Sequence, residues 1–330
     1  MPQLSKTSSG GNPTGKPPSS EAIDEARKKR RTAIIIASVV IVLILIIVGV
    51  SYYFSENAKY RRLTIITVDD IPINMDYFLM KTRLAGTDPM AMVAALTHEQ
   101  LIKLEAPKYV TEVSPEDIDQ ELRGMASGES ETISESEFKA WYRQLLNEND
   151  LSDSEYREII ATNLLAARLH EYLAERVPTV AEQVHLHSAS LSIEEMSEIW
   201  EKLEEKEDTD ELISAIWQDK QSEGTVEDQG WLPRGVLPYG FDEIAFSLTP
   251  GDISEPLAYS GEDPTSEEAY YYLLMVSEKA DARELEENSL QILKAQALDD
   301  WLVVEEKLHK IEWNFNSETY AWINWQLAKK

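Results

Sequence analysis

Hydrophobic residues are unevenly distributed along the chain, with one long apolar run ahead of several shorter amphipathic segments. The run AIIIASVVIVLILIIVGVSYYF covers residues 33–54, and no charged residue occurs between Thr32 and Ser55. A helix of this length would extend about 33 Å, enough for the roughly 30 Å hydrocarbon core of a bilayer. The pattern therefore predicts a single transmembrane helix, a signal anchor, over residues 32–55.

Basic residues on the two sides of this run predict its orientation. Every residue of 27–31 is Lys or Arg, whereas Lys59, Arg61 and Arg62 follow the run at a greater distance. The positive-inside rule then places the N-terminus in the cytoplasm and the rest of the chain outside the cell membrane. A cleaved signal peptide is the alternative, but no small-residue cleavage site follows the run, so an uncleaved anchor is favoured. The preceding tail, residues 1–31, is rich in polar residues and is predicted to be disordered.

Residues 63–177 show the spacing of a short β-hairpin followed by an all-helical module. Ser114, Ser134 and Ser152 are each followed three residues later by an acidic residue, which is typical of a capped helix N-terminus. Pro178 ends the last helix. The predicted strands are 63–68 and 71–73, and the predicted helices are 74–84, 90–109, 115–124, 138–146 and 156–176.

Residues 178–280 change to a mixed pattern, which predicts a small α+β domain. The β-prone runs are 184–191 and 269–276, and the amphipathic helices are 193–205, 209–217 and 241–248. Residues 224–240 are rich in Gly and Pro and are predicted to be a loop. Residues 281–330 are predicted to form a long return helix over 282–310 and an aromatic-rich end. The predicted fold class is thus α+β.

The charge balance argues against nucleic acid as a partner. The chain has 60 acidic and 31 basic side chains, a net charge of −29, and residues 1–54 carry +4, so the remainder carries −33. Such a surface repels nucleic acid and anionic lipid. The absence of cysteine fits an exported domain. His185 and His187 alone provide too few ligands for a metal, so no metal and no cofactor are predicted.

Residues 228–257, DQGWLPRGVLPYGFDEIAFSLTPGDISEPL, carry an ordered set of short motifs. They resemble the second half of a parvulin domain, the PpiC-type peptidyl-prolyl isomerase module. The matching elements are Asp228, Gly230 and Trp231; Arg234 and Gly235; Phe241, Ala245, Phe246 and Leu248; and Pro250, Gly251, Ile253, Ser254 and Pro256. The arrangement of the flanking helices also resembles the chaperone segments of SurA-like and PrsA-like exported foldases.

The resemblance implies a set of site residues. Leu232, Leu237 and Phe241 would bind the proline ring, and Asp219 matches the family's acidic or Cys position. The family's two facing histidines would fall on Ser188 and Tyr272, so the active site departs from the family pattern. Asp219, Ser188 and Tyr272 are the candidate catalytic residues. A one-residue slip in the strand would instead bring His187 into the site.

The resemblance implies a membrane-tethered, extracytoplasmic foldase that isomerises X–Pro bonds in unfolded or newly exported polypeptides. The missing histidines leave two alternatives open. One is a holdase chaperone that retains the fold without catalysis, and the other is a bitopic scaffold of a cell-envelope or secretion complex that docks through its Trp-rich C-terminus. The sequence does not indicate an oligomeric state.

Overall fold

The computed structural model describes residues 41–49, 58–128, 132–205, 208–238, 240–259 and 270–329. Their backbone divides into two compact units. Within the described residues, the first unit comprises 41–49, 58–65, 72–83 and 314–329, and the second comprises the described parts of 66–71 and 84–313.

The predicted fold is wrong in its transmembrane helix. Among the described residues, no helix is both long enough and apolar enough to cross a bilayer. Within the predicted span, the described residues are 41–49, and they are helical. The rest of 32–55 and the tail 1–31 lie outside the described residues.

The first unit has its core where α1 (Met75–Ala85) and α10 (Ser317–Leu327) bury apolar side chains. Phe78 and Ile323 are fully buried. The rings of Phe78 and Phe315 lie 6.2 Å apart. The aromatic-rich end of the sequence therefore contains a helix that contributes Ile323 to the core, whereas Trp313, Tyr320 and Trp325 are exposed.

The hairpin predicted near residue 63 is present and gains a third strand. Strands β1 (Thr64–Val68), β2 (Ile71–Asn74) and β7 (Ile311–Trp313) form a sheet in the order β2-β1-β7. Strand β7 is antiparallel to β1, and Val68 pairs with Ile311.

The second unit contains helices where the sequence predicted them between residues 90 and 176, together with the later long helix. These elements are α2 (Pro89–Glu105), a 3₁₀ turn (Ala106–Lys108), α3 (Pro115–Ser127), α4 (Glu135–Asn149), α5 (Asp153–Ala174) and α9 (Glu287–Leu308). Ser114, Ser134 and Ser152 each form a capping box with the acidic residue three positions on. Helix α5 packs against α2, α3 and α9.

The α+β part of the second unit contains an antiparallel sheet with helices on both faces. Its strands β3 (Val180–Leu191), β4 (Glu227–Pro233), β5 (Leu257–Tyr259) and β6 (Tyr270–Glu284) lie in the order β4-β3-β6-β5. Its helices are α6 (Ile193–Glu204), α7 (Asp210–Glu223) and α8 (Phe241–Ser247).

Side chains alternate between the two faces of this sheet, as the period of a strand requires. Ala189, Leu191 and Leu273 pack with residues of α6 and α7 on one face. Val184, Leu186 and Leu274 pack with residues of α8 on the other. We call these the α6–α7 face and the α8 face.

Candidate functional site

A cavity of about 360 Å³ opens on the α8 face of the sheet. Most of its lining is apolar, and three polar side chains interrupt that lining. The lining residues are Leu186, Ser188, Gln229, Leu237, Pro238, Phe241, Tyr272 and Leu274. A cavity of this size, apolar with a few polar groups, is typical of a small ligand-binding pocket.

The floor of the cavity comes from the central strands β3 and β6. Leu186 and Ser188 are two apart on β3, and Tyr272 and Leu274 are two apart on β6, so each pair points to one face. Ser188 pairs with Leu274 in the antiparallel register. Tyr272 pairs with Ser190, so it lies diagonally across from Ser188. The ring of Tyr272 meets that of Phe241 edge-on, with centroids 6.4 Å apart.

Gln229 reaches the cavity from the edge strand β4. Its Nε2 atom donates to Ser188 Oγ at 3.0 Å and to Glu227 Oε2 at 3.2 Å. The register of β3 and β4 shifts here, since His187 pairs with Asp228 but Leu186 pairs with Gly230. Gln229 is the extra residue of this bulge, and the neighbouring Gly230 has φ +73°, a conformation that glycine adopts at little cost.

The loop between β4 and α8 holds Leu237 at the mouth of the cavity. The amide of Gly235 donates to Asp242 Oδ2 at 2.5 Å, which ties the loop to the first turn of α8. Burial raises the pKa of Asp242, while the hydrogen bond from Gly235 opposes that shift. Gly235 has φ +87°, a conformation that strains any residue with a side chain.

Four of the six predicted site residues line this cavity: Ser188, Tyr272, Leu237 and Phe241. Leu232 packs against the same apolar cluster but is not among the residues that line the cavity. Asp219 lies elsewhere, exposed on α7. His187 is on the opposite face from Ser188, where its ring contacts His185.

Sequence patterns did not predict Gln229 or Pro238 as site residues. The available signal for Gln229 was the Asp228-Gln229-Gly230 sequence, because a Gly at a bulge redirects its neighbours. Pro238 lies in the segment that was predicted to be a loop.

A larger cavity, about 630 Å³, lies beside α3 and has a different character. Its lining includes Glu116, Asp119, Gln120 and Arg123. Burying a polar group without a partner costs free energy, so these side chains make a poor cup for an apolar ring. The smaller cavity on the α8 face is therefore the better candidate site.

Residues 182–267 match the family model described as "Rotamase: PPIC-type PPIASE domain". This match confirms the resemblance to a parvulin domain, and it contains every cavity residue except Tyr272 and Leu274. We refer to the sheet with α6, α7 and α8 as the parvulin-like domain.

One curated relative carries the name of a foldase. The chain is 27% identical over 170 residues to "Foldase protein PrsA" of Oceanobacillus iheyensis, a match that covers 49% of this chain and 54% of the relative. The chain thus spans about half the length of the curated relative it matches.

Two solved PrsA structures align with most of this chain at low sequence identity. The PrsA structure from Bacillus anthracis is 18% identical, and the match covers 72% of this chain and 96% of that structure with a TM-score of 0.30. The PrsA structure from Bacillus cereus is 16% identical, and the match covers 82% of this chain and 100% of that structure with a TM-score of 0.32.

Proposed function

We propose that this chain is an extracytoplasmic foldase whose parvulin-like domain isomerises X–Pro bonds. The observation that carries the proposal is the cavity on the α8 face, which combines an apolar wall with polar groups. The family match and the foldase relative support the same reaction. The absence of cysteine is consistent with an exported protein. A membrane anchor is not part of the proposal.

The reaction requires binding and polarity rather than a nucleophile or a metal. An X–Pro bond rotates over a barrier of about 18–20 kcal/mol because rotation breaks amide resonance. A site accelerates rotation when it binds the twisted amide more tightly than the planar one. Leu237 and Phe241 would hold the proline ring. The hydroxyl groups of Ser188 and Tyr272 and the amide of Gln229 would hydrogen-bond the rotating peptide group.

Ser188 and Tyr272 would thus replace the two histidines of the family pattern. Their positions on one sheet face, diagonal to each other, support this assignment. Asp219 is left out of the proposed mechanism because it is exposed on α7. Leu232 would act indirectly, by packing beneath the apolar wall.

The test is the cis-to-trans rate of X–Pro test peptides with the purified full-length chain and two matched variants. Phe241→Leu changes the cavity wall, whereas Phe246→Leu makes the same change at a neighbouring ring that does not line the cavity. The two positions are 8% and 6% exposed, so their folding penalties should be similar. We expect acceleration by the wild type and by Phe246→Leu, and a loss of at least tenfold in Phe241→Leu. A folded wild-type chain that accelerates no tested X–Pro peptide would overturn the proposal.

A holdase function is the second candidate, and one surface favours it. Helix α9 exposes Val303, Val304 and Leu308, which are 52%, 54% and 71% exposed. Exposed apolar side chains grouped on one helix are typical of a binding surface. Replacing these three with Ser would abolish suppression of client aggregation if α9 binds clients. Phe241→Leu would leave suppression unchanged, so the two functions can be separated.

A further inference from the structure

The α6–α7 face of the parvulin-like sheet brings two imidazoles and a carboxylate together, away from the proline cavity. His185, His187 and Asp228 each offer one ligand atom, and these atoms all lie within 4.8 Å of one another. His185 Nε2 and Asp228 Oδ1 are 2.9 Å apart. The two imidazole rings have centroids 5.0 Å apart. The two histidines are partly buried, and Asp228 is exposed.

Two bulges create this convergence. In β4, the shift between Asp228 and Gly230 sets Asp228 opposite His187 while Trp231 remains opposite His185. In β6, the register passes from Val276 to Glu278, so Ser277 is the extra residue. Both irregularities flank the same three residues of the central strand, 185–187. Bulges of this kind redirect side chains and occur often beside functional sites.

The surrounding contacts hold the histidine rings in place. The ring of His185 stacks on Trp231, with an interplanar angle of 11° and a centroid distance of 5.3 Å. The Ser277 Oγ atom lies 3.1 Å from His185 Nδ1 and 3.2 Å from His187 Nε2. The amide of Gly230 donates to Asp228 Oδ1 at 2.9 Å. Partners that fix ring orientation in this way are the usual support of metal-binding histidines.

We propose that His185, His187 and Asp228 bind a divalent transition-metal ion of the zinc class, with water completing the coordination. Two imidazoles and one carboxylate are the donor set that Zn²⁺ and its neighbours prefer, whereas Ca²⁺ and Mg²⁺ prefer oxygen alone. Ligand atoms about 2.0–2.1 Å from a tetrahedral ion lie about 3.4 Å from each other. The His185–Asp228 pair is already near that spacing, and the ligand atom of His187 lies within 4.8 Å of both partners.

Asp228 provides the third ligand that the sequence pattern of His185 and His187 lacked. It is 43 positions further along the chain than His185 and joins the pair only through strand pairing. A second group of this kind, Glu105, Glu305 and His309, also occurs among the described residues. In that group Glu105 already pairs with the cationic Lys108, and His309 already pairs with Asp69.

The test is a calorimetric titration of the untagged full-length chain with Zn²⁺, and with Co²⁺ as a spectroscopic substitute. We expect one ion per chain. The affinity should fall by about 100-fold in His185→Ala, His187→Ala and Asp228→Asn. This is the upper end of the roughly 10–100-fold loss seen when a residue that merely hydrogen-bonds a metal ligand is replaced. His98→Ala and Phe241→Leu should bind as the wild type does. His309→Ala tests the second group and should also bind normally.

A measurement on the wild-type chain avoids any folding defect of the variants. Imidazole nitrogen resonances, followed by NMR during Zn²⁺ addition, should shift for two of the five histidines, and the variants would assign them. Binding that survives in His187→Ala, binding lost only in His309→Ala, or no saturable binding at all would each overturn the proposal. None of these outcomes depends on isomerase activity, so the two proposals stand or fall separately.

Discussion

Gln229 donates a hydrogen bond of 3.0 Å from its side-chain amide to the hydroxyl oxygen of Ser188. This bond joins the edge strand β4 to the floor of the proline cavity. Because Gln229 also donates to Glu227, its amide is held at the polar rim of the cavity rather than in solvent.

The first prediction concerns this rim. Gln229→Ala should lower kcat/KM for X–Pro isomerisation about fivefold, because a neutral hydrogen bond contributes about 1 kcal/mol. Since Gln229 is on the exposed edge strand, the free energy of unfolding should change by less than about 0.5 kcal/mol. Glu227→Gln is the matched control, because it removes a charge but keeps an acceptor for Gln229. An equal loss of activity in the control would show that charge, rather than this bond, matters.

The second prediction concerns the positions where the parvulin pattern has histidines. The double variant Ser188→His, Tyr272→His should isomerise X–Pro peptides at least several-fold faster than the wild type, because both residues line the cavity. Ser190→His is the control. It adds a histidine to the same strand at an exposed position that pairs with Tyr272. A folded double variant no faster than the wild type would count against Ser188 and Tyr272 as the replaced positions.

The third prediction concerns a charge cluster in the helical part. His309 Nδ1 lies 2.8 Å from Asp69, and its Nε2 lies 3.4 Å from Glu105 and from Glu305. The hydrogen bond to Asp69 raises the pKa of His309, and the same bond lowers the pKa of Asp69. The stabilising effect of His309 is therefore complete below its ordinary pKa of about 6.5 and is lost as pH rises through the raised value.

His309→Gln should accordingly cost more stability at about pH 5 than at about pH 8. Asp69 sets the lower pH limit of this stabilisation, because its contribution disappears as pH falls through its own lowered pKa. Urea unfolding of the wild type and the variant at several pH values would measure the difference. His98→Gln is the control, because the His98–Glu306 pair is more exposed and should contribute little. A loss of unfolding free energy in His309→Gln that does not change with pH would contradict the role of the His309–Asp69 pair.

The fourth prediction concerns the loop that positions Leu237. A Cβ atom on Gly235 would lie 3.0 Å from Leu293 Cδ2, and the residue has φ +87°. Gly235→Ala should therefore cost about 2 kcal/mol, from backbone strain together with overpacking. Gly224→Ala, at φ +73° with no atom within 4 Å of its Cβ, should show the strain alone, about 1 kcal/mol.

A double-mutant cycle separates the two contributions at Gly235. Combining Gly235→Ala with Leu293→Ala should remove the overpacking part. The double variant should therefore lose less unfolding free energy than the sum of the losses in the two single variants. Strict additivity, measured by urea unfolding, would mean that Leu293 moves aside without cost.

Local rules predicted the helix starts well. Ser114, Ser134 and Ser152 cap helices as their sequences indicated, because a capping box needs only residues three positions apart. Helix ends were less well predicted. Helix α7 continues to Glu223 instead of ending at Trp217, so Asp219 lies on an exposed helical face rather than at a helix end beside the cavity.

Features set by strand pairing were poorly predicted. Strand β4 was taken for a loop because Gly230 and the bulge break its alternation. Strand β6 runs on to Glu284, because residues 278–284 pair with β3 even though they are largely charged and polar. Ser188 and Tyr272 were placed opposite each other by the family resemblance, and both line the cavity on the α8 face. Gln229 was not predicted, because only the bulge brings its side chain to that face.

The bulge in β4 lets one edge strand contribute side chains to both faces of the sheet. Residues 228–231 place Asp228 and Trp231 on the α6–α7 face and Gln229 on the α8 face. Deleting Gln229 would restore simple alternation and leave Asp228 and Trp231 together on the α6–α7 face. It would also remove the side chain that β4 directs to Ser188. A change of one residue in length would therefore alter the proline cavity and leave the histidine cluster in place.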